Sequence, residues 1–210
     1  MKGLLYKDLM NSKGPLIGTF FYFLVFAIFA IPKHADGRSL PGTLFSVFLF
    51  YSSLALAHNS FQQDEQNKWN VYALSLPIDK KLLIQSKYLF LTAYLLLGHA
   101  LALGLTAIQP SIGSEILLVQ IMLIARTFLF LSMFLPLIYR FGSRNATVLI
   151  VCTFFALGLL KLAINDSEIL NLLTQNQQTI VFYCWCAGCV ILYCASYHFS
   201  YKMLEKGDVH

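Results

Sequence analysis

Three uncharged runs limit what this chain can become: 19 residues separate Lys13 from Lys33, 25 separate Arg38 from Asp64, and 27 separate Lys87 from Glu115. A helix of about 20 mostly apolar residues crosses roughly 30 Å of hydrocarbon. A soluble core built from 210 residues has no need of three such stretches. Composition points the same way. Hydrophobic residues make up 58% and charged residues 12%, against about 45–50% and about 25% in average globular domains. The expected fold class is an all-α membrane protein.

Residues 1–14 place Leu4, Leu5 and Leu9 on one helical side, with Met10 beside them and Lys2, Lys7 and Lys13 elsewhere. Such an amphipathic helix suits the membrane surface. The run that follows is of spanning length and lacks a small-residue cleavage site before Lys33, so it is the first span rather than a signal peptide. Six transmembrane helices are expected, over about 15–32, 42–61, 88–108, 115–138, 146–164 and 179–201. Pro15 suits the first turn of the first of these. The longest polar segment is 62–88, and YRFGSRN at 139–145 makes a tight basic turn. With no repeat, low-complexity tract or second domain visible, 1–210 is a single transmembrane domain.

Orientation follows from the basic residues of the short loops. With the N-terminus inside, eleven Lys and Arg fall on the cytoplasmic side (Lys2, Lys7, Lys13, Lys68, Lys80, Lys81, Lys87, Arg140, Arg144, Lys202, Lys206) and three on the other (Lys33, Arg38, Lys161). The chain is expected to be multi-pass in the cell membrane, both termini cytoplasmic. The net charge of +5 sits at helix ends rather than in a stripe, so no nucleic-acid partner is expected.

Chemistry of its own is hard to find. The chain has no GxxxxGK[ST] loop, HExxH or GxSxG, which leaves no route to nucleotide hydrolysis, zinc proteolysis or serine hydrolysis by those means. No cofactor or metal is expected in the chain. Cys152, Cys184, Cys186, Cys189 and Cys194 lie in apolar runs and read as buried, small, inert residues. His58 and His99 stand on different helices with no carboxylate at fixed offset, as packed or pore-lining histidines. Arg140 and Lys161, near helix ends, suit snorkelling. Gly98, Gly104, Gly158 and Gly188 suit close helix crossing.

Two features carry information. In 62–88, Trp69, Tyr72, Ala73 and Leu76 fall at i, i+3, i+4 and i+7, so a helix starting near Asp64 carries one aromatic and apolar stripe. Asp64 and Glu65 then sit at its positive end. Pro77 ends it, and Asp79 caps the next helix. The stripe either lies on lipid headgroups or serves as the anchor of a soluble partner. The second feature is Arg126, midway along the fourth span. It either faces a cavity and an anionic part of cargo or lipid, or pairs structurally with carbonyls or Glu115.

The residues KGLLYKDL before the first span, the run from Phe61 to Leu89 (F-x-x-D-E-x-x-x-W-x-x-Y-x-x-S-L-P-I-D-K-K-x-x-x-x-S-K-Y-L) and LPLIYRFGSRNA from Leu135 to Ala146 go further. Together they resemble the small single-domain permease subunits of type-2 ATP-binding-cassette exporters, the kind that export amphipathic, phenol-soluble-modulin-like peptides. Asp79-Lys80 departs from the Ser-Arg frequent in that family and keeps the positive charge. The resemblance implies that 62–88 is a coupling segment docking on a separate ATPase chain, with Asp64, Glu65, Trp69, Tyr72, Leu76 and Pro77 carrying the contact. It implies ATP and Mg in that partner rather than here, a second permease subunit, identical or not, and an amphipathic cargo. Arg126 and His99 are the residues expected to touch cargo or lipid. The alternative from another class is a membrane-embedded immunity or regulatory protein that binds a peptide and pumps nothing.

Overall fold

The computed structural model describes residues 2–30, 40–75, 79–107, 114–163 and 175–205, all in helices or the turns that link them. Helix α1 (Lys2–Asn11) runs almost without a break into α2 (Lys13–Ala30). Only Ser12 stands between them, and the ladder continues through it, from Ser12 N–H to Asp8 O and from Leu16 N–H to Ser12 O, both 3.0 Å. The surface helix expected at 1–14 is therefore fastened directly to the first apolar helix.

Helix α3 (Leu40–Gln66) outlasts its expected end by five residues. Gln62 to Gln66 are all tolerant of a helix, and nothing breaks it before Lys68, whose φ of 50° stops the ladder. The short α4 (Trp69–Ser75) follows, then α5 (Lys80–Ala107). The cap expected at Asp79 is present: its Oδ1 accepts Lys81 N–H at 3.0 Å, and its carbonyl accepts Leu82 N–H at 2.9 Å. That cap lets α5 begin eight residues before the expected apolar start.

The expected fourth and fifth helices form one element, α6 (Ser114–Ala163), interrupted only at Gly142 with φ 80° and ψ 166°. Glycine is the residue that adopts that geometry without a Cβ penalty. Pro136 lies near the end of the first arm, six residues before that break. Neighbours on α3 give the direction of the two arms. Before Gly142, Gln120 meets Ser46 and Tyr139 meets Phe61, so the first arm runs alongside α3 in the same sense. After it, Ser143 meets Glu65 and Thr147 meets His58, so the second arm runs back. The turn expected at 139–145 is real, and it is compressed into one residue. Helix α7 (Gln175–Glu205) completes the described elements.

Helices α3, α5 and α6 share the core, where Phe45, Leu49, Leu91, Leu95, Leu131 and Phe134 are almost fully buried. Between α3 and α5 the approach is close because Gly98 leaves room for Leu49, whose Cδ2 stands 2.7 Å from where a Cβ would be. Gly42 does the same beneath Thr106, whereas Gly104 and Gly188 have nothing within 4 Å. Helix α2 flanks one side, with Tyr22 on Phe48 at 4.3 Å between ring centres. Helix α7 flanks the other, where the Tyr88 hydroxyl meets Ser196 and Ser200 at 2.7 and 2.8 Å.

Among the described residues, Pro41–Gln66, Lys80–Ala107 and Ile116–Thr153 are long and apolar enough to cross a membrane, and Lys13–Ile28 is a shorter apolar helix. The cysteines differ from expectation: Cys152, Cys184 and Cys194 face outward and only Cys189 is buried. Cys184, Cys186, Cys189 and Cys194 lie on α7 and Cys152 on the returning arm of α6.

Candidate functional site

At the end of the bundle that carries α1 and α4, two basic and two acidic residues are drawn together. Lys7 Nζ lies 2.7 Å from Asp64 Oδ1 and 3.4 Å from Asp8 Oδ1. Lys87 Nζ lies 2.7 Å from Asp8 Oδ1 and 2.8 Å from Asp64 Oδ2, and also donates to Ser60 Oγ. The side chains of Asp8, Asp64 and Lys87 are 1%, 3% and 8% exposed, so this cluster is screened from solvent. Its four charges cancel. Aromatic rings close it: Lys7 sits 4.4 Å over the Trp69 ring, and Lys87 5.1 Å over Phe61. Beside it is a cavity of about 30 Å³, lined also by Tyr139 and Ser86, enough for one water.

The cluster joins four elements through salt bridges and ring contacts: α1 by Lys7 and Asp8, α3 by Asp64, α4 by Trp69 and α5 by Lys87. Truncating one member of such a group leaves an uncompensated buried charge, which costs more than the intact pair contributes.

Glu65, next to Asp64, points the other way. Its carboxylate accepts the Ser143 N–H and the Ser143 Oγ–H, each at 2.6 Å. Ser143 opens the second arm of α6, so Glu65 acts as that arm's N-terminal cap from a different helix. The expectation that Asp64 and Glu65 begin a helix is corrected here. Both lie in the last turn of α3, where the helix dipole disfavours negative charge. Two lysines compensate one, and the positive start of another helix compensates the other. Neither is an exposed docking residue.

Of the expected contact residues, Trp69 is half-buried and Tyr72 is 57% exposed, their rings 5.6 Å apart. Ala73, on the same stripe, is fully buried against the bundle. Leu76 and Pro77 lie outside the described residues. Among the described residues, the outward part of this stretch includes Tyr72, with Gln66, Asn67, Lys68 and Ser75 also exposed.

His99 and Arg126 are not brought together with this cluster. His99 is 3% exposed in α5, and neither ring nitrogen has a hydrogen-bond partner. Gln120, also buried, accepts a hydrogen bond from Ser46 Oγ–H on its carbonyl oxygen at 2.6 Å, and its NH₂ has no partner among the described residues. Arg126 faces outward, over the rings of Phe50 and Phe130 at 5.8 and 5.9 Å, with no carboxylate partner among the described residues. His58 is a packed histidine, its Nδ1 2.8 Å from Thr147 Oγ1.

Lys7, Asp8, Lys87 and Ser143 were missed as site residues. Their partners stand 57, 79 and 78 positions away in the chain. One signal was available: in the expected topology Lys7, Asp8, Asp64 and Lys87 all fall at the same end, two of each sign.

Against known proteins, the family model described as an ABC-2 family transporter protein matches residues 3–205. No curated protein and no solved structure matches the chain.

Proposed function

The chain belongs to the ABC-2 family of transporter proteins, and from that premise we propose that it is the permease subunit of an ATP-driven exporter, powered by a separate ATPase docked on residues 62–88. In this reading it has six spans and cytoplasmic termini, and the end bearing α1 and α4 is the inner face. A second permease subunit completes the path. ATP and Mg act in the partner chain. The cargo is an amphipathic or lipophilic molecule of the phenol-soluble-modulin type, moved outward.

One observation carries the proposal: the segment able to receive a partner is fastened to the rest of the bundle by buried charge. Tyr72 presents an aromatic anchor on α4, and Trp69 behind it stacks on Lys7. From there Asp64 reaches α1 and α5, and Glu65 reaches the α6 hairpin. A partner that moves α4 when it closes on ATP would shift these helices together rather than bend one loop. Such a motion biases the permease only if the partner's contacts differ between its two states. In this division of labour Tyr72 and its neighbours, with Leu76 and Pro77, form the contact, while Asp64 and Glu65 transmit it.

The test is ATP-dependent uptake of an amphipathic peptide into inverted membrane vesicles containing this chain and its co-expressed ATPase. The proposal expects uptake that needs both chains and is abolished by Trp69→Ala while insertion is retained. Peptide bound by this chain alone, with no ATP-dependent uptake, would replace the exporter with the immunity or regulatory protein.

A further inference from the structure

We propose that the outward face of α3 binds an anionic amphiphile in transit, with its carboxylate or phosphate on Arg126 and its apolar chain in the groove between α2 and α3. This rests on the exporter reading above and deepens it.

Arg126 is the first support. It lies about 18 Å of helix rise from Ser114 and about 22 Å from Phe141, so it stands near mid-depth of the first arm of α6. Its guanidinium rests on the faces of Phe50 and Phe130 and faces outward with no carboxylate partner among the described residues. Charged groups within spans normally turn inward or find a partner. Stacking on rings leaves the planar edge of an arginine open, and that edge matches a carboxylate or phosphate bidentately. An arginine at this depth reaches an interfacial phosphate only by snorkelling or local thinning of the bilayer, whereas an acidic head carried across meets it in place. The complementary anion is therefore one carried into the bilayer by a molecule crossing it.

The groove is the second support. Phe50, under Arg126, touches Tyr51 at 5.1 Å between ring centres, and Tyr51 lines a groove of about 390 Å³. Its other walls include Pro15, Gly18, Tyr22 and Phe48, and it carries no charged residue. Within it, the hydroxyls of Thr19 and Ser52 are already engaged with the Tyr94 hydroxyl at 2.9 and 2.7 Å. The groove is thus mostly apolar and aromatic, with the amide of Asn59 also among its walls, and Arg126 stands outside it, beyond Tyr51 and Phe50. An amphiphile with a single acidic head fits that pattern; a sugar or a cationic peptide does not.

The test uses the purified full chain in nanodiscs of zwitterionic lipid, with pyrene-labelled palmitate and its uncharged methyl ester as probes. The wild type should bind the carboxylate roughly tenfold tighter than the ester. Arg126→Gln should reduce the carboxylate to the ester's affinity, and Arg126→Lys should keep part of the preference. Gly18→Leu, which has open space around its Cβ, should weaken both probes equally by filling the groove. Equal affinity for the two probes in the wild type, or a preference that survives Arg126→Gln, overturns the proposal. So does efficient disulfide cross-linking of Met122→Cys between copies in native membranes, which would show that a second copy covers this face. Co-purification of a phosphate-loop ATPase is scored on the same membranes. If the ATPase is retained and charge preference is absent, the site fails and the exporter reading stands. If no ATPase is retained, the exporter reading fails, and the claim of transit fails with it even where the charge preference at Arg126 remains.

Discussion

At the α4 end of the bundle, Asp8, Asp64 and Lys87 lie buried beside the partly exposed Lys7, with lysine-to-carboxylate distances of 2.7 to 3.4 Å, and the four charges cancel. Midway along the first arm of α6, Arg126 stands exposed over two phenyl rings with no carboxylate partner among the described residues. Nearby depths of the core hold His99 with both nitrogens, and Gln120 with its NH₂, unpaired among the described residues. The contrast separates two uses of polar groups in an apolar protein. Where every charge has a near partner, the group fixes helices to one another and nothing external is needed. Where a charge has no partner among the described residues, it is open to a ligand or a second chain. The first kind is wiring. The second, in the proposal above, is a binding surface.

If that division is right, substitutions at the two places should fail differently. The largest effect on stability belongs to Lys87→Met, which leaves Asp8 and Asp64 buried with only Lys7 to answer them. Breaking such a buried group costs about 3–5 kcal/mol, and the midpoint of thermal unfolding in mild detergent should fall sharply. An unchanged midpoint would mean that the cluster is not structural. Glu65→Ala comes next. It removes the acceptor for the Ser143 N–H and hydroxyl and should cost about 1–3 kcal/mol in the same assay. Gly142→Ala tests the same turn from the backbone side. A Cβ there would meet Glu65 Oε1 at an ordinary 3.5 Å, so the loss should come from the backbone alone, a φ/ψ region open essentially to glycine, about 1–3 kcal/mol. Tyr72→Ala is the smallest. An exposed ring should change stability by no more than about 0.5 kcal/mol, yet ATP-dependent uptake should be lost. A stable Tyr72→Ala protein with normal uptake would break the comparison, since it would leave the exposed surface without a function.

Much of this was legible along the chain. The gaps between charges revealed the apolar helices, Asp79 announced the start of α5, and the RFGSR run marked the reversal at Gly142. These signals are local, set by residues within a turn or two of one another. The destinations of Asp64 and Glu65 were not legible. As neighbours in sequence they read as one acidic pair at a helix start, yet helical geometry turns them to different faces, one toward α1 and α5 and one toward α6. Their partners are recruited across 57 to 79 positions of chain, and no periodicity encodes that. Arg126 was flagged by its depth alone. That it points outward rather than into a cavity depends on how α3 and α6 rotate about their axes, which the pattern of apolar residues leaves open when nearly every position is apolar.

The proposed function depends on force arriving from another polypeptide at α4. A photo-crosslinking amino acid placed at position 72 in intact cells, with the same residue at the exposed His198 of α7 as the control, tests this most directly. The account predicts a single prominent adduct at position 72, identified by mass spectrometry as an ATPase with a phosphate-binding loop, and none at 198. An adduct only to lipid at both positions, or cargo moved across vesicles by the purified chain without any ATPase, would contradict it.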